Sequence, residues 1–153
     1  MNRILSFARD PILFSAKALL ALDMVLWLCW LPVMVRVRTV PTLLDRLARS
    51  GKSVRRTPMG LKDVVGIVTA ICNLRPFRLR FFPKVCLRQS LTLYRTLSKM
   101  GYPVEIHFGA LKRGEDLCGH SWVTMDGAPL ADTAKSEVFK VLYSYPIAGR
   151  PAR

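Results

Sequence analysis

The chain has 153 residues, which suits one domain carrying a helical annex and not two independent globular units. Its 24 Lys and Arg against 10 Asp and Glu give a formal charge of +14, yet 51% of residues are hydrophobic and mean hydropathy is +0.24. A disordered basic tail is excluded, being poor in apolar residues; a basic globular enzyme, a nucleic-acid binder and a protein resting on anionic lipid remain.

The charge is unevenly spread. Residues 1–50 carry a net +4, residues 51–100 a net +10 and residues 101–153 none. A cationic middle third attracts an acidic peptide, a phosphate backbone or a membrane, unless its Arg and Lys merely solvate apolar helices.

From Ile12 to Val35 the chain is almost continuously apolar, and its 24 residues match the roughly 20 needed to span a bilayer. Lys17 and Asp23 interrupt the run, and each costs roughly 2.5–3.5 kcal/mol at a bilayer centre. Pro32 is expected to break or kink the helix near its end. A helix buried against the domain, or lying in a membrane interface with Trp27 and Trp30, fits better than a span. Arg3 and Arg9 resemble the start of an export signal, but no small-x-small cleavage site follows. Cysteines stand at 29, 72, 86 and 118 with no C-x-x-C pair, which argues against a zinc knuckle or redox site and for a reducing cytoplasm.

Ser50-Gly51-Lys52-Ser53 reads as a loop between two helical patterns. A phosphate-loop reading of Gly-Lys-Ser fails, because the first glycine of that motif falls on Arg46. Residues 61–74 form a further apolar helix. These patterns divide the chain into a helical region, 1–59, and a second unit, 60–153.

Residues 83–103 repeat Leu87, Leu91, Tyr94 and Leu97 at helical spacing, with Arg88, Thr92, Arg95 and Lys99 on a stripe expected to face solvent. Pro83 marks the start, and Gly101 with Pro103 the stop. Cys86 therefore falls in the first turn, where unsatisfied N–H groups and the positive dipole end favour a thiolate. An inert buried cysteine is the plainer alternative.

After Gly101 the pattern alternates. Residues 103–111 and 118–125 read as strands, the second carrying Cys118, His120, Trp122 and Thr124 on one side. Asp126-Gly127 signals a hairpin. With a two-residue turn Asp132 points away from His120. With a three-residue Met125-Asp126-Gly127 loop the two lie opposite one another, Cβ atoms about 4.5–5.5 Å apart. The second register is the one expected here.

A helix-borne Cys86, a strand-borne His120 and Asp132 on the next strand then make a nucleophile, a base and its orienter. Trp122 either walls this site or is an ordinary core residue. His107 reads as a solvated or hydrogen-bonded histidine rather than a catalyst, and Cys118 with His120 is too small a set for zinc. Residues alone reach a Cys-His-Asp acyl-transfer enzyme. A basic adaptor for membrane or nucleic acid is the rival class, although no nucleic-acid motif is recognisable.

Cys86-Leu87-Arg88-Gln89-Ser90-Leu91, the Gly101-Tyr102-Pro103 break, Gly109, Gly119-His120-Ser121-Trp122-Val123, Asp126-Gly127 and Asp132 resemble the transglutaminase-like peptidase of lasso-peptide biosynthesis. That family is related to the C-terminal domain of the microcin-processing protein. The likeness covers residues 60–135, with Gly119 and Ser121 where the family often has Ala. It implies an α+β, papain-like or transglutaminase-like core with an N-terminal apolar helical annex, and a catalytic set of Cys86, His120 and Asp132. It further implies cleavage of the leader from a ribosomally made precursor peptide, with no cofactor or metal in this chain. An ATP-using macrolactam synthetase then closes the ring, and a small leader-recognition protein serves as partner because 153 residues leave no room for that module. The expected setting is cytoplasmic, with peripheral membrane contact through residues 12–35 and no nucleic-acid partner. A true transglutaminase or amidase is the alternative enzyme.

Overall fold

The computed structural model describes residues 11–50, 59–131 and 136–146. Four helices precede a sheet: α1 (Pro11–Val37), α2 (Val40–Ser50), α3 (Leu61–Cys72) and α4 (Val85–Lys99). β1 (Val104–Arg113), β2 (Asp116–Met125), β3 (Ala128–Leu130) and β4 (Lys140–Tyr145) follow. Short 3₁₀ turns occupy Arg75–Arg78 and Ser136–Val138. The sheet is antiparallel with order β3-β2-β1-β4, so the fold is α+β, as the sequence led us to expect. The Ser50–Ser53 loop assignment falls largely outside the described residues.

α1 carries the long apolar run as one helix. It passes Pro32 and continues to Val37, contrary to a break there, and the Arg36 guanidinium donates to the Pro32 carbonyl at 3.2 Å. Phe14–Val37 is long and apolar enough to cross a membrane, with a mean hydropathy of 2.1. One face of α1 belongs to the core: Met24, Leu28 and Leu31 are fully buried with Leu44, Val64, Val68, Leu91, Leu97 and Ile106.

α4 is the centre of the molecule, packed by α1, α2 and α3 and by β1 and β2. This corrects the expectation of a solvated stripe. Arg88 and Thr92 are buried completely and Arg95 almost so, because α1 and α3 cover the face that carries them. The Arg88 guanidinium donates to the carbonyls of Phe77, Cys72 (2.6 Å) and Pro83 (3.3 Å), stitching the α3–α4 connection onto the helix. Trp27 donates its indole N–H to the Thr92 hydroxyl at 3.2 Å. Arg95 holds both carboxylate oxygens of Asp23, at 2.5 and 2.9 Å, and keeps that carboxyl below its usual range.

The end of α4 follows the glycine rule. Gly101 at φ 81 donates to Ser98 and Tyr102 to Leu97, which closes the last turn and aims the chain into β1. β1 and β2 pair from Val104↔Met125 to Arg113↔Asp116. β4, which the sequence reading passed over, pairs along the other side of β1. Tyr145 packs its ring edge-on to Tyr94 and donates its hydroxyl to Asp45 of α2 at 2.9 Å.

The β2–β3 hairpin corrects the expected register. Val123↔Leu130, Thr124↔Pro129 and Met125↔Ala128 require a two-residue turn, with Asp126 at φ 51 and Gly127 at φ 78. Two positive φ values define the mirror-image turn whose twist suits a hairpin. The ladder ends at Leu130, and Ala131 at φ 54 turns the chain away. The observed register is thus the two-residue one and not the three-residue one expected, while Asp132 itself lies outside the described residues.

Candidate active site

Among the described residues β3 pairs only with Val123–Met125, the end of β2. The first turn of α4 lies against the neighbouring part of β2. A cavity of 240 Å³ opens there, lined by Cys86, Gln89, Ser90 and Leu93 of α4, residues His120–Val123 of β2, and Leu130 and Ala131.

Cys86 is the second residue of α4 and half-buried. Lys84 at the N-cap makes no side-chain cap hydrogen bond to the first-turn N–H groups. Behind the thiol the wall is fixed. Ser90 donates to the Ser121 hydroxyl at 2.9 Å, tying α4 to β2. Gln89 donates to the Thr69 hydroxyl at 3.1 Å and to the Ala131 carbonyl at 3.4 Å, which anchors the chain as it leaves β3.

His120 lines the same cavity, and its ring is gripped by aromatic neighbours. Trp122 stacks on it at 5.7 Å with planes 16° apart, and Phe139 lies at 4.8 Å. Trp122 in turn stacks on His107 at 5.5 Å. Both His107 nitrogens are engaged, Nδ1 with Ser144 at 2.7 Å and Nε2 with Thr124 at 2.8 Å. Burial lowers the His107 pKa below its usual value, with Glu105 opposing weakly. His107 is thus a held, hydrogen-bonded buttress, as the sequence suggested.

Gly109 completes this arrangement. It pairs with His120 in the β1–β2 ladder, and a Cβ there would stand 3.0 Å from the Trp122 ring and from the Lys140 carbonyl. Only a glycine lets the indole lie across β1.

The structure therefore brings Cys86 and His120 to one cavity. Asp132 lies outside the described residues. Cys118 is exposed and pairs with Leu111, away from the cavity lining. Among the described residues no group of three His, Cys, Asp or Glu side chains could hold a metal. Sequence reasoning missed Gln89, Ser121 and Phe139 as parts of the site, and gave Gly109 no structural role. A glycine opposite the candidate histidine was the available signal for close approach.

A thiol at a helix start beside an imidazole can form a thiolate–imidazolium pair and attack a carbonyl carbon. No curated protein and no solved structure matches the chain. A family model for the transglutaminase-like superfamily matches residues 25–144, from within α1 to β4, and so takes in the cavity and everything that frames it. That superfamily includes cysteine peptidases and acyl transferases. The α+β order, the cysteine-bearing helix set against an antiparallel sheet, and this match agree, and the chain belongs to the transglutaminase-like superfamily.

Proposed function

We propose that this protein is a cysteine peptidase that removes the leader from a ribosomally made lasso-peptide precursor. The observation that supports it most is the shared cavity of Cys86 and His120 at the uncapped start of α4, in a chain of this superfamily. The motif blocks around Cys86, His120 and Asp132 give the narrower assignment to leader cleavage.

In this reading His120 accepts the Cys86 proton, and the thiolate adds to the carbonyl carbon at the end of the leader. The first-turn N–H groups of α4 stabilise the oxyanion. The C–N bond then breaks as His120 returns its proton to the departing amine, which becomes the N-terminus of the core peptide. Water, deprotonated by His120, attacks the thioester and frees the leader and the thiol. Asp132 fixes the imidazole tautomer. A leader-recognition protein presents the precursor, and a separate ATP-using macrolactam synthetase uses the new amine.

The test is mass spectrometry of a cognate precursor incubated with the protein and its recognition partner. Wild type should release one leader fragment, and Cys86→Ala none. A leader fragment joined to an added amine would instead identify an acyl transferase or transglutaminase. Intact precursor in both samples, with the partner bound, would overturn the enzymatic reading in favour of an adaptor.

A further inference from the structure

α1 is apolar on two sides, and only one is used. Met24, Leu28 and Leu31 face the core. On the other side Leu19, Leu22, Leu26, Trp30, Val33 and Val37 recur at spacings of three and four, which is one continuous helical stripe, and are 41–73% exposed. Just 22% of the apolar segment of this helix is buried. Trp27 and Trp30 divide the two roles: Trp27 is turned inward by Thr92 and Arg95, while Trp30 stands in the stripe.

The rim of this stripe is basic. Arg36 is exposed near its end, lies 4.4 Å over the Phe81 ring and donates to the Phe81 carbonyl at 3.3 Å. Phe81, with Leu79 two residues before it, thereby extends the apolar surface, and Arg75, Arg80 and Lys84 on the same connection are exposed. No Asp or Glu occurs between Asp63 and Glu105. An apolar stripe with a cationic rim is the chemistry of a surface that lies on lipid headgroups.

We infer that α1 docks the protein flat on an anionic membrane, its outer stripe seated at the headgroup–acyl boundary and its basic rim on the lipid phosphates. A span is disfavoured by the inner face. Crossing the bilayer would draw Met24, Leu28 and Leu31 out of the core and carry Asp23 away from Arg95. A second copy is a poorer occupant, because it would bring the same cationic rim against this one in a chain of charge +14. The inference is independent of the proposed peptidase activity, and its test reads no cleavage.

The full chain is floated with vesicles of phosphatidylcholine alone and of phosphatidylcholine mixed with phosphatidylglycerol. Co-flotation should be about tenfold or more stronger with the anionic vesicles and should weaken as salt rises. Brominated lipid should quench tryptophan emission, and Trp30→Phe should remove most of that quenching. Leu22→Glu combined with Leu26→Glu should abolish flotation while leaving the thermal midpoint within a few degrees of wild type. Absence of flotation, equal binding to both vesicle types, or retention after an alkaline carbonate wash would each overturn the inference. So would dimerisation in lipid-free solution that the same double variant abolishes, since it would identify a second copy as the occupant.

Discussion

A missing methyl group controls the geometry around His120. The Trp122 ring lies 3.0 Å from where a Cβ on residue 109 would stand, and the same indole is stacked on the His120 imidazole. Gly109→Ala requires its neighbours, the indole and the Lys140 carbonyl, to give by a few tenths of an ångström, because 3.0 Å is tighter than almost all real Cβ contacts. The carbonyl is held in the sheet, so the indole is expected to shift and to carry the imidazole with it. Misplacing a catalytic group by a fraction of an ångström to an ångström costs on the order of ten- to a hundredfold in rate. On the proposed peptidase reading, single-turnover precursor cleavage by Gly109→Ala should fall by that factor, while precursor affinity and far-UV circular dichroism stay unchanged. Cleavage at the wild-type rate would show that the aromatic stack does not position His120.

At the scale of elements the decisive object is α4, whose polar stripe is interior. Arg88 is fully buried and serves three carbonyls, two of them through short contacts, in the connection that precedes Cys86. Arg88→Met keeps the apolar stem but leaves the Phe77 and Cys72 carbonyls without that donor. At about 1.5–3 kcal/mol for each hydrogen bond to a charged group, the loss is roughly 3–6 kcal/mol. Chemical denaturation should show it as a lower midpoint at unchanged slope, and a change below about 1 kcal/mol would mean that the connection repacks freely. Local signals revealed where α4 begins and ends, the apolar helical run over 12–35, the helix over 61–74 and the first hairpin, although α1 passes through Pro32 without breaking. They could not reveal which faces of α4 see water, since that depends on three helices distant in sequence. The hairpin register failed for a related reason. Asp126-Gly127 satisfies both candidate loops, and only the three-residue one would set Asp132 opposite His120, whereas the observed turn follows the local twist. β4 had a readable alternation in Val141, Tyr143 and Tyr145, but its partner strand lies some thirty residues earlier. Of the site, Cys86 and His120 were legible as chemistry-bearing residues, and the cavity that unites them was not, because it arises where α4, β2 and the end of β3, distant in sequence, come together.

At the scale of the whole molecule, the question is whether α1 is an appended anchor or a wall of the fold. Its inner face contributes Met24, Leu28 and Leu31 to the same core cluster as Val64, Leu91, Leu97 and Ile106. Full burial of each such side chain is worth about 1.5–3 kcal/mol, so the three together supply roughly 5–9 kcal/mol. That is comparable with the entire stability of a typical domain, about 5–15 kcal/mol. Removing α1 would also take Asp23 from Arg95 and Lys99, leaving two cations of α4 at a newly exposed apolar surface. A chain beginning at Thr39 is therefore expected to lose its cooperative thermal transition and to bind a hydrophobic dye, even though α4 and every strand remain. A truncated chain that melts cooperatively and still cleaves precursor would show instead that the catalytic unit folds without the helix. The two faces of α1 then have separable roles: the inner face holds α4 and hence Cys86 in place, and the outer face is available to lipid. Substitutions at Leu22 and Leu26 should touch only the second role, while loss of the helix destroys the first. That difference keeps a failure to fold from being mistaken for a failure to bind membrane.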